Sequence, residues 1–140
     1  MANINPQLLC LTSSLLVISF LFFLYFSDKN IYEIILAGLL IITIIISQLF
    51  WNNPVKYSTI HKIDGIVAKM SLVLFIGYIA IYKKMDTIFF YLSLIMINWT
   101  IFYFLLSDFY SRKQWCCNNH ILYHGMSHIF CVVASIFAFV

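Results

Sequence analysis

Charge is what this sequence has least of. Only 9% of its 140 residues are Asp, Glu, Lys or Arg, against roughly 25% in soluble domains, and so few charges exclude a fold whose surface faces water. Eight Lys and Arg stand against 5 Asp and Glu, a net charge of +3. These residues are spread along the chain, so nucleic-acid binding has no electrostatic footprint. Fixed-period repeats and low-complexity linkers are absent. Glycine is scarce, and Gly38 has no glycine partner four residues away for a GxxxG helix contact. The 4 cysteines follow no secreted-framework spacing. Cys10 and Cys131 sit within apolar runs, and the redox compartment stays open. The adjacent Cys116 and Cys117, beside Arg112 and Lys113, read either as a juxtamembrane palmitoylation pair or as two reduced interfacial thiols.

What is present is apolar: 64% of residues are hydrophobic, 19% are aromatic, and the mean hydropathy is +0.98. A bilayer core of about 30 Å takes roughly 20 apolar residues per helical span. Charged and turn-forming residues cut the chain into five such pieces, over about 7–26, 31–50, 62–82, 87–106 and 120–140. The expected fold is an all-α integral membrane helical bundle of about five transmembrane helices, forming a single domain over 1–140. The first apolar run is too long for a signal-peptide core and lacks a preceding basic segment, so a retained transmembrane helix is expected. Lys56, Lys62, Arg112 and Lys113 fall on the amino-terminal side, against Lys29, Lys83 and Lys84 on the other. That balance leans toward a cytoplasmic amino terminus. Asn98-Trp99-Thr100 has the form of a glycosylation sequon but lies at mid-membrane depth and reads as core.

Polar groups within spans are costly and are functional candidates by default. They are Glu33, Ser47, His61, Asp64, Lys69, His120, His124 and His128. Glu33 and Lys69 lie near span ends, where they are expected to snorkel to the interface. His120, His124 and His128 recur every four residues. Four helical residues advance about 400°, so the three share one face at about 6 Å intervals along the axis. One i, i+4 pair can chelate a metal ion. All three cannot, because the outer two are roughly 12 Å apart, so a third ligand must come from another helix. The alternative is three histidines hydrogen-bonding around a polar interface. Spans two, three and five bring Ser47, Trp51, His61 and Asp64 to the same membrane side as the stripe. His61 and Asp64 stand at i, i+3 and project together if the third helix begins before His61. Asp64 suits direct metal ligation, support of a ligand histidine, or the holding of a water. It also suits a carboxylate at a helix amino terminus.

These residues resemble the CREST superfamily of membrane hydrolases, which includes the alkaline ceramidases and the progestin and adipoQ receptors. Ser47-Gln-Leu-Phe-Trp51 is similar to the family's S-x-x-x-H, Asp64 to its Asp, and His124-Gly-Met-Ser-His128 to its final H-x-x-x-H. The resemblance implies a zinc ion bound by histidines and hydrolysis of a lipid amide, with the Asp and Ser orienting water and the substrate carbonyl. It also implies an endomembrane location. Trp51 stands where the family has a zinc-binding histidine, and five spans stand where it has seven, so His61 becomes the substitute ligand and Asp64 the next choice. The sequence thus suggests a zinc-dependent hydrolase with His124, His128 and His61 as ligands, Asp64 as base and Ser47 as oxyanion donor, acting on a membrane lipid. The alternative is a non-catalytic bundle serving structure, assembly, channel or sensing roles around a polar or metal cluster. A haem-binding bundle is a third idea. Homo-oligomerisation is compatible with the apolar faces, which carry no specific oligomer code.

Overall fold

Hydrocarbon offers no water to backbone N–H and C=O groups, so an apolar chain of this kind satisfies them within helices. The computed structural model describes residues 4–140, and among them it contains helices and no strand. The helices are α1 (Leu8–Ser14), α2 (Leu16–Phe26), α3 (Ile31–Trp51), α4 (Thr59–Gly77, continued by a π-helical turn over Tyr78–Tyr82), α5 (Thr87–Lys113) and α6 (Asn118–Ile136). The fold is an all-α helical bundle. Among the described residues, four stretches are long and apolar enough to cross a membrane: Leu8–Phe26, Ile31–Trp51, Thr59–Tyr82 and Thr87–Lys113. α6 falls short of that hydropathy because Asn118, Asn119 and three histidines occupy its first half.

Local chemistry sets the boundaries. Asn30 caps α3 by accepting the N–H of Glu33, and Ser58 caps α4 by accepting the N–H of His61. α4 therefore starts before His61 and sets His61 and Asp64 one turn apart on the helix. The first span is divided at Leu15. Just before the break, Thr12, Ser13 and Ser14 each donate to the carbonyl three residues back. Such back-bonding competes with the helical ladder and bends it. α5 runs beyond the expected 87–106 because Asp108 and Arg112, at i, i+4 and 2.7 Å apart, belong to its last turns.

α5 packs along α6, and α4 packs along α3. α1 and α2 join the two pairs by packing on both α3 and α6. Small residues let α2 and α6 approach closely: Ser135 donates to Ser19 at 2.7 Å, and Ser19 donates to the Val132 carbonyl at 2.9 Å. At the α1–α6 crossing, a Cβ on Gly125 would meet Leu9 and Thr12 at 3.6 Å.

Glu33 does not snorkel. It is fully buried, paired with Lys83 at 3.1 Å, and accepts O–H bonds from Tyr78 at 2.8 Å and Ser27 at 2.6 Å. The carboxylate stays inside because three partners replace its water. Lys69, by contrast, is exposed.

Candidate functional site

α4 and α5 make no extended contact with each other. The wedge between the α3–α4 pair and the α5–α6 pair is a cavity of about 220 Å³, larger than a cavity of about 150 Å³ that admits benzene. At one end its wall takes Ser47 and Trp51 from α3, His61 and Asp64 from α4, and Ser107 from α5. His120, His124 and His128 of α6 complete this polar end, while Leu40, Phe75 and Ile97 line the rest. The residues given roles in the expected zinc site, Ser47, His61, Asp64, His124 and His128, thus all border one cavity. Ser107 was not among them, because its helix was expected to end before it.

Ser47 and Asp64 are both buried, and the Ser47 hydroxyl interacts with the Asp64 carboxylate across the α3–α4 interface. The histidine rings form a ladder: His120 and His124 have centroids 6.0 Å apart, and His124 and His128 4.8 Å apart with the rings crossed at 82°. Trp51 lies 4.9 Å from His124 and 5.9 Å from His120, centroid to centroid. The place where the resemblance expects a third histidine is therefore taken by an indole packed against the first.

Hydrogen bonds divide the four histidines into two kinds. Nδ1 of His61 accepts the backbone N–H of Tyr57 at 3.0 Å, and Nδ1 of His120 accepts that of Cys116 at 3.1 Å. A neutral imidazole that accepts at one nitrogen carries its proton on the other, so these bonds assign N–H to Nε2 in both rings. His124 and His128 instead meet hydroxyls: Ser107 at 3.0 Å and Thr12 at 2.9 Å, again through Nδ1. Thr12 also directs its hydroxyl at the Leu9 carbonyl, 3.3 Å away, which leaves its oxygen to accept from His128. Nδ1–H on an outer acceptor with a free Nε2 lone pair is the arrangement of metal-ligating histidine. His128 suits that role, and His124 suits it in the tautomer whose Nδ1–H donates to the Ser107 hydroxyl; His61 and His120 present N–H groups. Among the described residues no cluster of three or more His, Cys, Asp or Glu is arranged to hold a metal ion. The fit to zinc therefore extends to two nitrogen donors, and His61 as held here does not supply the third.

Aromatic rings close the polar end. His61 stacks on Phe50 at 4.9 Å and stands 5.0 Å from Trp115, which also lies 4.9 Å from His120. Trp115 donates its indole N–H to the Pro54 carbonyl at 3.2 Å. The indole Nε1 of Trp51 has no partner, and it is the one buried side-chain nitrogen or oxygen among the described residues in that state. Comparison with family models, curated proteins and solved structures finds no match to this chain.

Proposed function

We propose that this chain is a membrane-embedded hydrolase of an acyl bond in a lipid, with His124 and His128 as zinc ligands. The observation that carries this reading is the convergence of Ser47, Asp64, His124 and His128 on one cavity that continues into an apolar slot. These are also the residues on which the CREST resemblance rests. Zinc held there supplies Lewis-acid polarisation of an acyl carbonyl and activates water near neutral pH.

The chain's own residues do the remaining work. Ser107 and Thr12 fix the two ligand rings through Nδ1. Asp64, buried beside the cavity, takes a proton from the attacking water at its carboxylate. The Ser47 hydroxyl, which stands beside that carboxylate, turns to donate to the developing oxyanion. Leu40, Phe75 and Ile97 hold the acyl chain and keep water from it.

Zinc analysis of purified protein tests the reading. About one zinc per chain is expected, with loss in a His124→Ala, His128→Ala double variant and fatty acid release from a ceramide-like lipid that Asp64→Asn abolishes. Equal, substoichiometric zinc in wild type and double variant would sink it. The position of Trp51 against His124 favours a second reading, a non-catalytic bundle that keeps the polar cluster for assembly or ligand binding. On that reading no fatty acid is released, with or without bound zinc.

A further inference from the structure

We infer that the end of the cavity formed by Trp51, His61 and His120 is an anion subsite, which holds the carboxylate of a fatty-chain amphiphile while its tail lies in the apolar slot. The inference rests on the proposed hydrolase only in naming that anion as the acid released by the reaction; the donor chemistry stands by itself. Three side chains that line this end carry an N–H with no acceptor among the described residues. Trp51 Nε1–H belongs to a side chain only 1% exposed. A buried donor left unpaired costs about 1–3 kcal/mol, and a fold that keeps one beside a cavity has a place for an acceptor there. The Nε2–H groups of His61 and His120 are the other two, each fixed by the backbone N–H that occupies Nδ1. Both rings line the same cavity as Trp51, and Trp115 lies between them, 5.0 Å from one and 4.9 Å from the other.

Charge agrees with this donor set. The Lys56 ammonium lies 5.6 Å from the Trp115 ring centroid and donates to the Ser111 carbonyl at 3.0 Å, with no carboxylate partner among the described residues. Two acidic side chains line this end: Asp108 is paired with Arg112, and Asp64 is held by the Ser47 hydroxyl. Three neutral N–H donors and one unpaired cation select an oxygen anion over a cation or a neutral group. The continuous apolar wall of Leu40, Phe75 and Ile97 selects an anion that carries a hydrocarbon chain.

Indole fluorescence reads this end directly, because two of the 3 tryptophans, Trp51 and Trp115, stand in it. In a Trp99→Phe background in neutral detergent, a long-chain fatty carboxylate is titrated against the fatty alcohol of equal length and against inorganic phosphate. The carboxylate is expected to give a saturable change, with the alcohol at least about 10-fold weaker, as loss of a charged hydrogen bond dictates. Binding by phosphate at the carboxylate's strength would show a free-anion site and overturn the amphiphile; equal binding of alcohol and carboxylate would overturn the anion. His61→Phe and His120→Leu should each weaken the carboxylate by roughly 10-fold, and His120→Gln, which restores an N–H, should recover most of it. Unchanged affinity in both would also overturn the subsite. Thermal unfolding checks that each variant folds. Asp64→Asn, inactive as a hydrolase, removes a negative charge from this end and should bind the carboxylate at least as tightly as wild type, so loss of activity and loss of the subsite are read apart.

Discussion

Cys116 donates its backbone N–H to Nδ1 of His120 at 3.1 Å, and Tyr57 gives the same bond to His61 at 3.0 Å. Both donors lie in left-handed backbone, with φ of 54° and 65°, and each immediately precedes the N-cap of a helix, Cys117 for α6 and Ser58 for α4. Each histidine is the third residue of its helix. One device is thus built twice: a left-handed residue, costing about 1–2 kcal/mol for a side chain with Cβ, offers its N–H to a first-turn histidine. The bond offsets that cost and settles which ring nitrogen carries the proton.

The two kinds of histidine should separate in nitrogen NMR. His61 and His120 are expected to show unprotonated Nδ1 and protonated Nε2, and to keep those signals when zinc is added. His124 and His128 should shift with zinc. In parallel, His61→Ala should retain wild-type zinc while His124→Ala loses it; loss in both would restore His61 as a ligand.

Glu33 and Lys83 form a buried pair, 0% and 9% exposed at their side chains. Glu33→Gln leaves the ammonium without its counter-charge and should cost about 3–5 kcal/mol of stability. Glu33→Gln combined with Lys83→Met should recover much of that loss. Thermal unfolding in detergent measures both, and a single variant as stable as wild type would remove the pair from the stability account.

Gly125 tests the α1–α6 crossing. An added Cβ meets Leu9 and Thr12 at 3.6 Å, an ordinary contact. Gly125→Ala should therefore fold and gain up to about 1 kcal/mol from helix propensity. Gly125→Leu should push α1 off α6, seen as new protease sensitivity near Cys10 and a lowered melting temperature.

Burial, together with the neighbouring Cys117, pushes the Cys116 thiol above its ordinary pKa. At a given pH it holds less thiolate, and thiolate is the reactive form. Alkylation of Cys116 should be slow at pH 7.5 and rise only at a pH above the usual thiol range. Mass spectrometry over pH 7 to 10 checks this, and rapid labelling at pH 7.5 would contradict it.

Much of the bundle was legible because charge is so scarce. Asp28-Lys29-Asn30 and Lys83-Lys84 mark ends that the structure places within a residue or two. The break at Leu15 was missed because neither Gly nor Pro marks it; the Thr12-Ser13-Ser14 run was the available signal. The end of α5 lies beyond the expected one because charged residues such as Asp108 and Arg112 usually mark a span's end, although their four-residue spacing is that of a helical ion pair. The common depth of Ser47, Asp64 and the histidines followed from alternating topology. Which nitrogen of each ring is engaged did not, since that depends on backbone donors fixed only by the turns. Glu33 was misplaced at the interface because its partner is 50 residues away.

The wedge between α4 and α5 also bears on how the chain is assembled. α5 is tied to α4 by Lys83–Asp86 in sequence but not by extended packing, and the carboxy-terminal hairpin closes on α1 and α2 through α6. During synthesis the first span can therefore pair with α3 at once, while its α6-facing side stays open until the last helix is made. A chain severed between Lys84 and Met85 would yield two pieces whose shared surface is untouched, able to find each other in the membrane plane.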